Sequence, residues 1–388
     1  MHPLLQIIYY SIYNILSILK SPFFWIVVGI IYLQYRKIGE MEKGILGQYR
    51  KSPVYNVLIS SLFGLIGGIL GSIIFIYFDI SINPRDFYYI LPLALLLSIF
   101  HPRFMCFSYA GGIISFMNLI FRWPSINVSQ IMFVIGVLHL VESFLILWDG
   151  RRNRVPVFME KQDEIIGGFT MNRFWPVPFT IFVNNIDIYP ITIMAILGYG
   201  DFALSNFPER KSKETASLLF LFSIILLILA GLSIKYHVFK YIASIFAPLA
   251  HEIIILVGRR KEERGGYIFT STEHGLRVLD TLPNSIGEKM ALNPGDVILS
   301  LNDHRIYSKK DIEDILLIRP KIIWLDVFDI KKGLITKEYK DYQKGINNLG
   351  IVVVSNFLDQ ILIVEESKTL IVKLINKFGK RRKSTFKN

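Results

Sequence analysis

Up to about residue 258 this chain is a succession of long apolar runs; beyond it the runs shorten and alternate. Such runs constrain the fold more than any other feature. A lipid core leaves backbone polar groups no water to bond, so a span must be a helix or part of a closed barrel. The runs predict an α-helical polytopic bundle with seven spans, at Pro22–Tyr35, Val54–Phe78, Phe87–Phe100, Phe104–Phe121, Ser129–Trp148, Pro176–Leu197 and Ala216–Ile234. Six to eight remain open. A 14-residue span such as Pro22–Tyr35 rises only about 21 Å, so it must extend, tilt or thin the bilayer. Leu4–Leu19 is a further helix, lying in the interface or crossing as an eighth span. It has no basic flank and no small-residue cleavage site, which argues against a signal peptide.

Charge orients these spans. The loop 36–52 holds five Lys/Arg and the loop 149–175 another five, with Arg103 between them. The alternate loops hold Arg85, Arg122, Arg210, Lys211 and Lys213. Eleven against five puts the two richest loops in the cytoplasm of a multi-pass cell-membrane protein. The segment Val238–Val257 is apolar but contains Pro248, His251 and Glu252, and the cluster Arg259, Arg260, Lys261 and Arg264 follows it. It is read as a bundle-packed or interfacial helix that does not cross, which keeps the C-terminal part cytoplasmic. The net charge of +12 points to anionic lipid; no nucleic-acid module accompanies it, so no nucleic-acid partner is expected. The single cysteine, Cys106, excludes an intrachain disulfide.

From Gly265 the period becomes 2. Strands are expected at Tyr267–Thr272, Leu276–Leu282, Asp296–Leu301, Ile322–Phe328, Leu334–Tyr339, Ile351–Val354 and Ile361–Glu365, with helices at Ser285–Ala291 and Ser308–Leu317. Pro294-Gly295-Asp296 reads as a turn, Asn302-Asp303 as a hairpin, and Ser308 with Asp311 as a helix cap. The tail Lys368–Lys387 is a basic amphipathic helix suited to a membrane surface. Three regions result: a multispan domain over 1–258, a soluble domain over 259–345, and further strands with the basic tail over 346–388.

Gly275, Val278, Ser285, Leu292, Gly295, Asp296, Ile298 and Asn302 match the pattern of bacterial PDZ domains, which the segment Gly265–Asp329 resembles. Ala291 departs from it, standing where the family usually has glycine. The resemblance implies a small PDZ-like β-sandwich or α+β domain that binds peptides by β-augmentation. It would place a carboxylate-binding loop at Gly265 and Gly266, a receiving edge at Tyr267, Ile268, Phe269 and Thr270, and an opposing wall at Ile312, Ile315 and Leu316. The three wall residues also read as core at helical spacing.

The whole chain resembles the MinJ family of Gram-positive, including clostridial, polytopic membrane proteins with a C-terminal PDZ domain. Ser21-Pro22-Phe23-Phe24-Trp25, Arg103–Tyr109 with Gly111-Gly112, Trp175–Pro178 and Pro248–Glu252 carry the likeness. It implies a scaffold that recruits division proteins such as DivIVA or MinD and positions the septum; a homo-oligomer is compatible with it. The alternative is a PDZ-containing intramembrane protease or a regulator of one. His251-Glu252 begins the zinc-protease motif H-E-x-x-H, but Ile255 stands at the second histidine. Gly231-Leu-Ser233 lacks the rest of a rhomboid-type serine motif. No catalytic residues, metal ligands or cofactors are therefore expected, and the chain is read as a non-enzyme. His139 and Glu142 share a helix face and read as an interhelical hydrogen-bonded pair; Asn184, Asn185 and Asp187 make one span polar.

Overall fold

The computed structural model describes residues 9, 13–15, 17–161, 164–184 and 188–354. Most of Leu4–Leu19, together with Asn185, Asp187, Ile361–Glu365 and Lys368–Lys387, lies outside the described residues. Helices α1 (Pro22–Leu46) and α2 (Pro53–Tyr77) each begin with proline in the first turn after a serine cap, where proline's missing N–H costs nothing. They are followed by α3 (Pro84–Phe100), a 3₁₀ turn (Pro102–Met105), α4 (Phe107–Phe121), α5 (Val128–Asp149), α6 (Pro208–Lys235) and α7 (Val238–Arg264). Among the described residues four helices, α2, α5, α6 and α7, are long and apolar enough to cross a membrane; α4 is apolar but shorter.

The segment Pro176–Leu197 is not a helix. Strands β2 (Arg154–Lys161), β3 (Glu164–Asn184) and β4 (Ile188–Ala203) form antiparallel pairs, and the short β1 (Ser81–Ile82) joins β3 in parallel at Phe182 and Val183. Pro176, Pro178 and Pro190 supply the reason. Each costs about 3 kcal/mol inside a helix, whereas a strand edge without a ladder partner tolerates proline.

That edge faces α2. Phe174 N–H donates to the Tyr35 hydroxyl at 3.1 Å, and the same hydroxyl pairs with Ser60 at 2.6 Å. Thr180 N–H donates to Ser72 Oγ at 2.7 Å. Between these bonds Pro176 and Pro178 have no N–H to satisfy. Their carbonyl oxygens sit so close to Gly64 and Gly68 that an added Cβ would lie 2.0 and 1.9 Å away. Four residues of helix rise about 6 Å and two of strand about 6.6 Å. The small positions Ser60, Gly64, Gly68 and Ser72 therefore keep step with Phe174, Pro176, Pro178 and Thr180. The hairpin thus runs beside α2 with no N–H of its inner edge left unbonded between Phe174 and Thr180.

The second difference is the length of α7. Val238–Val257 belongs to one continuous 27-residue helix packed on α4 and α6, and that helix is long enough to cross. Arg154 pairs with Glu209 at 2.9 Å, Lys211 donates to the Gly258 carbonyl at 3.2 Å, and Asn56 donates to Asn153 at 3.0 Å. Residues Arg210, Lys211 and Lys213, expected across the membrane from the two basic loops, thus share an end of the bundle with them. Arg50 from the first loop forms a salt bridge with Asp280 of the C-terminal domain, so that domain sits at the same end.

The C-terminal domain has one antiparallel sheet in the order β10-β5-β6-β8-β9, with β7 added to β6. Its strands are β5 (Leu276–Thr281), β6 (Val297–Leu301), β7 (His304–Arg305), β8 (Ile322–Asp329), β9 (Gly333–Lys340) and β10 (Ile351–Val354). Helix α8 (Ile286–Lys289) precedes β6 and α9 (Lys309–Leu316) precedes β8. The turn residues behave as their chemistry requires. Gly295 has φ +94°, Asn302 and Asp303 have +48° and +67°, and Ser308 and Asp311 form a reciprocal capping box. Leu276, Val278, Ile298, Leu301, Leu325 and Val327 centre the core.

Candidate functional site

The strand expected over Tyr267–Thr272 does not form: only isolated bridges occur, Thr270 with Ile166 and Thr272 with Gly275. The backbone expected to receive a peptide is engaged within the chain. Ile268 N–H donates to the Leu204 carbonyl at 3.3 Å, and the Phe269 carbonyl accepts from Gly167 at 2.8 Å. The Thr270 carbonyl accepts from Arg277 at 2.8 Å. Phe269 is fully buried between Phe169 and Phe207, joined to the core of the helical bundle. Burial of a phenylalanine contributes about 1.5–3 kcal/mol, which favours this seam over an open edge. Gly265 N–H caps α7 through the Lys261 carbonyl at 3.0 Å, and an added Cβ would lie 2.5 Å from Ser205 Oγ. Gly266 has open space around it. Tyr267 donates to the Glu263 carbonyl at 2.9 Å. Ile312 and Leu316 are buried core residues, and Ile315 packs partly buried against them.

A cleft of about 370 Å³ opens where α1, α2 and the α5–β2 connection meet. Arg50, Lys51, Arg151, Arg152, Arg154 and Arg173 line it, against Glu42 and Glu209. Arg173, counted above as a loop charge, is fully buried and bonded through Nε to Asp149 at 2.7 Å. Trp175 Nε1 donates to the same carboxylate at 2.8 Å.

The most concentrated chemistry lies within the bundle. The 3₁₀ turn after α3 delivers Cys106 to His139 of α5 and His251 of α7. Cys106 Sγ is 3.1 Å from His139 Nε2 and 3.7 Å from His251 Nε2. His139 Nδ1 lies 2.8 Å from the Ile135 carbonyl, which can only accept, so Nδ1 carries the proton. His251 Nδ1 lies 3.2 Å from the Tyr109 hydroxyl. That hydroxyl donates to Glu252 at 2.5 Å, and Arg103 pairs with Glu252 at 2.9 Å. Tyr109 therefore accepts from His251 Nδ1–H. Both Nε2 lone pairs face the thiol.

Sequence reasoning found the two histidines but not this arrangement. It paired His139 with Glu142, whereas the His139 ring is engaged by Ile135 and Cys106. It tested His251 only against a position on its own helix, Ile255. Cys106 was considered only for disulfides. A linear motif cannot register side chains from three separate elements.

These features define a bundle with four helices long and apolar enough to cross a membrane, flanked by a β-hairpin and carrying a docked sheet domain. In sequence the chain is similar to the cell division topological determinant MinJ of Bacillus subtilis (strain 168), at 19% identity over 252 residues. The match covers 60% of this chain and 62% of that protein, so the chain spans less than two thirds of its relative's length. No family model matches the chain.

Proposed function

We propose that this protein is a membrane-anchored adaptor that helps position the division site. The observation that carries the reading is the similarity to a division topological determinant, which extends over 252 residues. In this reading the protein is multi-pass, and the end bearing the basic loops and the C-terminal domain faces the cytoplasm, as the positive-inside rule requires. The basic cleft meets anionic headgroups there. The C-terminal domain, PDZ-like in its sequence pattern, recruits division proteins of the DivIVA or MinD kind. Recruitment by the segment Gly265–Thr270 requires the seam around Phe269 to open, because its backbone bonds are already made.

The test is imaging of a fluorescent fusion in the native host, together with capture of bound proteins by the full chain and by a form ending at Gly258. Enrichment at septa, misplaced septa on deletion, and partners lost with residues 259–388 are the expected results. Uniform membrane fluorescence with normal septum placement would end the proposal.

A further inference from the structure

We infer that Cys106, His139 and His251 form a binding site for a zinc-type divalent cation within the bundle. The three ligand atoms all lie within 4.8 Å of one another. Zinc bonds sulfur at about 2.3 Å and imidazole nitrogen at about 2.0–2.1 Å, so tetrahedral angles separate S from N by about 3.5 Å. The two observed separations, 3.1 and 3.7 Å, bracket that value.

Hydrogen bonding alone does not account for the cluster. Both imidazoles hold their proton on Nδ1, fixed by the Ile135 carbonyl and the Tyr109 hydroxyl. Two Nε2 lone pairs then face one weak S–H donor, and one of them is left unmatched. A cation replaces the thiol proton and satisfies all three ligands. The outer partners are those that metal-bound histidines use: a backbone carbonyl for His139, and a Tyr109–Glu252–Arg103 chain for His251. A thiolate with two imidazoles suits zinc and disfavours magnesium or calcium, which take oxygen ligands.

His139 lies ten residues before the end of α5, about 15 Å from that end along the helix axis. The ion would therefore bind inside the bundle and join the α3–α4 turn to α5 and α7. Three protein ligands leave a fourth position for water or another group.

The experiment uses the full chain in detergent, stripped with chelator and titrated with Co²⁺ and then Zn²⁺. About one equivalent of Co²⁺ should bind with thiolate-to-cobalt charge-transfer absorption, and Zn²⁺ should displace it. Cys106→Ser should abolish the charge-transfer band. Tyr109→Phe, which frees His251 Nδ1, should weaken binding by about ten- to a hundredfold without abolishing it. Because Cys106 is the only cysteine, thiol alkylation of the wild-type chain gives a readout independent of any variant's folding. Zn²⁺ should slow that alkylation. Folded wild-type protein that binds no stoichiometric Co²⁺, or whose alkylation Zn²⁺ leaves unchanged, overturns the inference. So does wild-type affinity in folded His139→Ala and His251→Ala variants.

Discussion

Ala291 holds φ +52°, a left-handed conformation that costs a Cβ-bearing residue about 1–2 kcal/mol. Glycine relieves that strain but loses about 0.4–1 kcal/mol through its freer unfolded chain. Ala291→Gly should therefore stabilise the C-terminal domain by about 0.5–1 kcal/mol, read from hydrogen-exchange protection of β5 and β6 in the full chain. A loss of protection would show that the left-handed geometry is not populated. Asp311 is the second informative residue. Partial burial pushes its carboxyl up, but the N–H groups of Tyr307 and Ser308 and the Ser308 side chain outweigh that and hold it below its ordinary value. A carboxyl depressed in the folded state stabilises above its unfolded pKa of about 3.9, and that stabilisation is lost as pH falls through the folded value. Ser308→Ala should cost about 1 kcal/mol at neutral pH. Asp311→Asn should flatten the acid limb of the domain's unfolding profile, and an unchanged limb would remove Asp311 from the account.

The seam between α2 and β3 is the element on which the bundle depends. A side chain at Gly64 or Gly68 meets a rigid backbone carbonyl at about 2 Å, and no rotamer change avoids it. Gly68→Val should separate the hairpin from α2 and cost more than about 3 kcal/mol, seen as a collapse of the detergent melting temperature. Gly29→Ala in α1 meets nothing within 4 Å and should be neutral or slightly stabilising. Equal melting temperatures for the two variants would show that the close approach carries no weight. The prolines of this stretch were visible from the start, and Pro176, Pro178 and Pro190 are poor company for a helix. Composition alone still reads 176–197 as a span, because a hairpin and a helix of equal apolarity have the same hydropathy. The distinguishing fact is the match to a glycine stripe more than a hundred residues earlier in sequence.

At the scale of the whole molecule, a hairpin in place of one predicted span and a crossing α7 would offset each other. Replacing one predicted span by a hairpin moves Ser205 to the end that holds Ser52, and letting α7 cross restores the C-terminal domain to that end. Reporter fusions after Ser52, at Lys161 and at Ser205 should all report one side, with Asp79 and Tyr236 on the other. A signal at Ser205 opposite to that at Lys161 would reinstate the predicted span. Phe269 and the Arg50–Asp280 bridge join the C-terminal domain to the bundle. Phe269→Ala should cost about 3–5 kcal/mol at this seam and expose the chain between Arg264 and Gly275 to limited proteolysis. A cleavage pattern identical to the wild type would mean that the domain is held elsewhere.

Local chemistry determined much of this protein directly from sequence. Six of the seven predicted spans are helices, the turns at Gly295 and Asn302-Asp303 form, and the Ser308 cap forms, because each depends on residues within a few positions of one another. The fate of Tyr267–Thr270 could not be read that way. As a free segment it is a plausible edge strand, and only the presence of Phe169, Phe207 and the Leu204 carbonyl turns it into a seam. The Cys106–His139–His251 cluster is of the same kind. Its members stand 33 and 112 residues apart along the chain. Their proximity is set by how three elements pack, and packing is a property of side-chain shapes in contact that no local pattern contains.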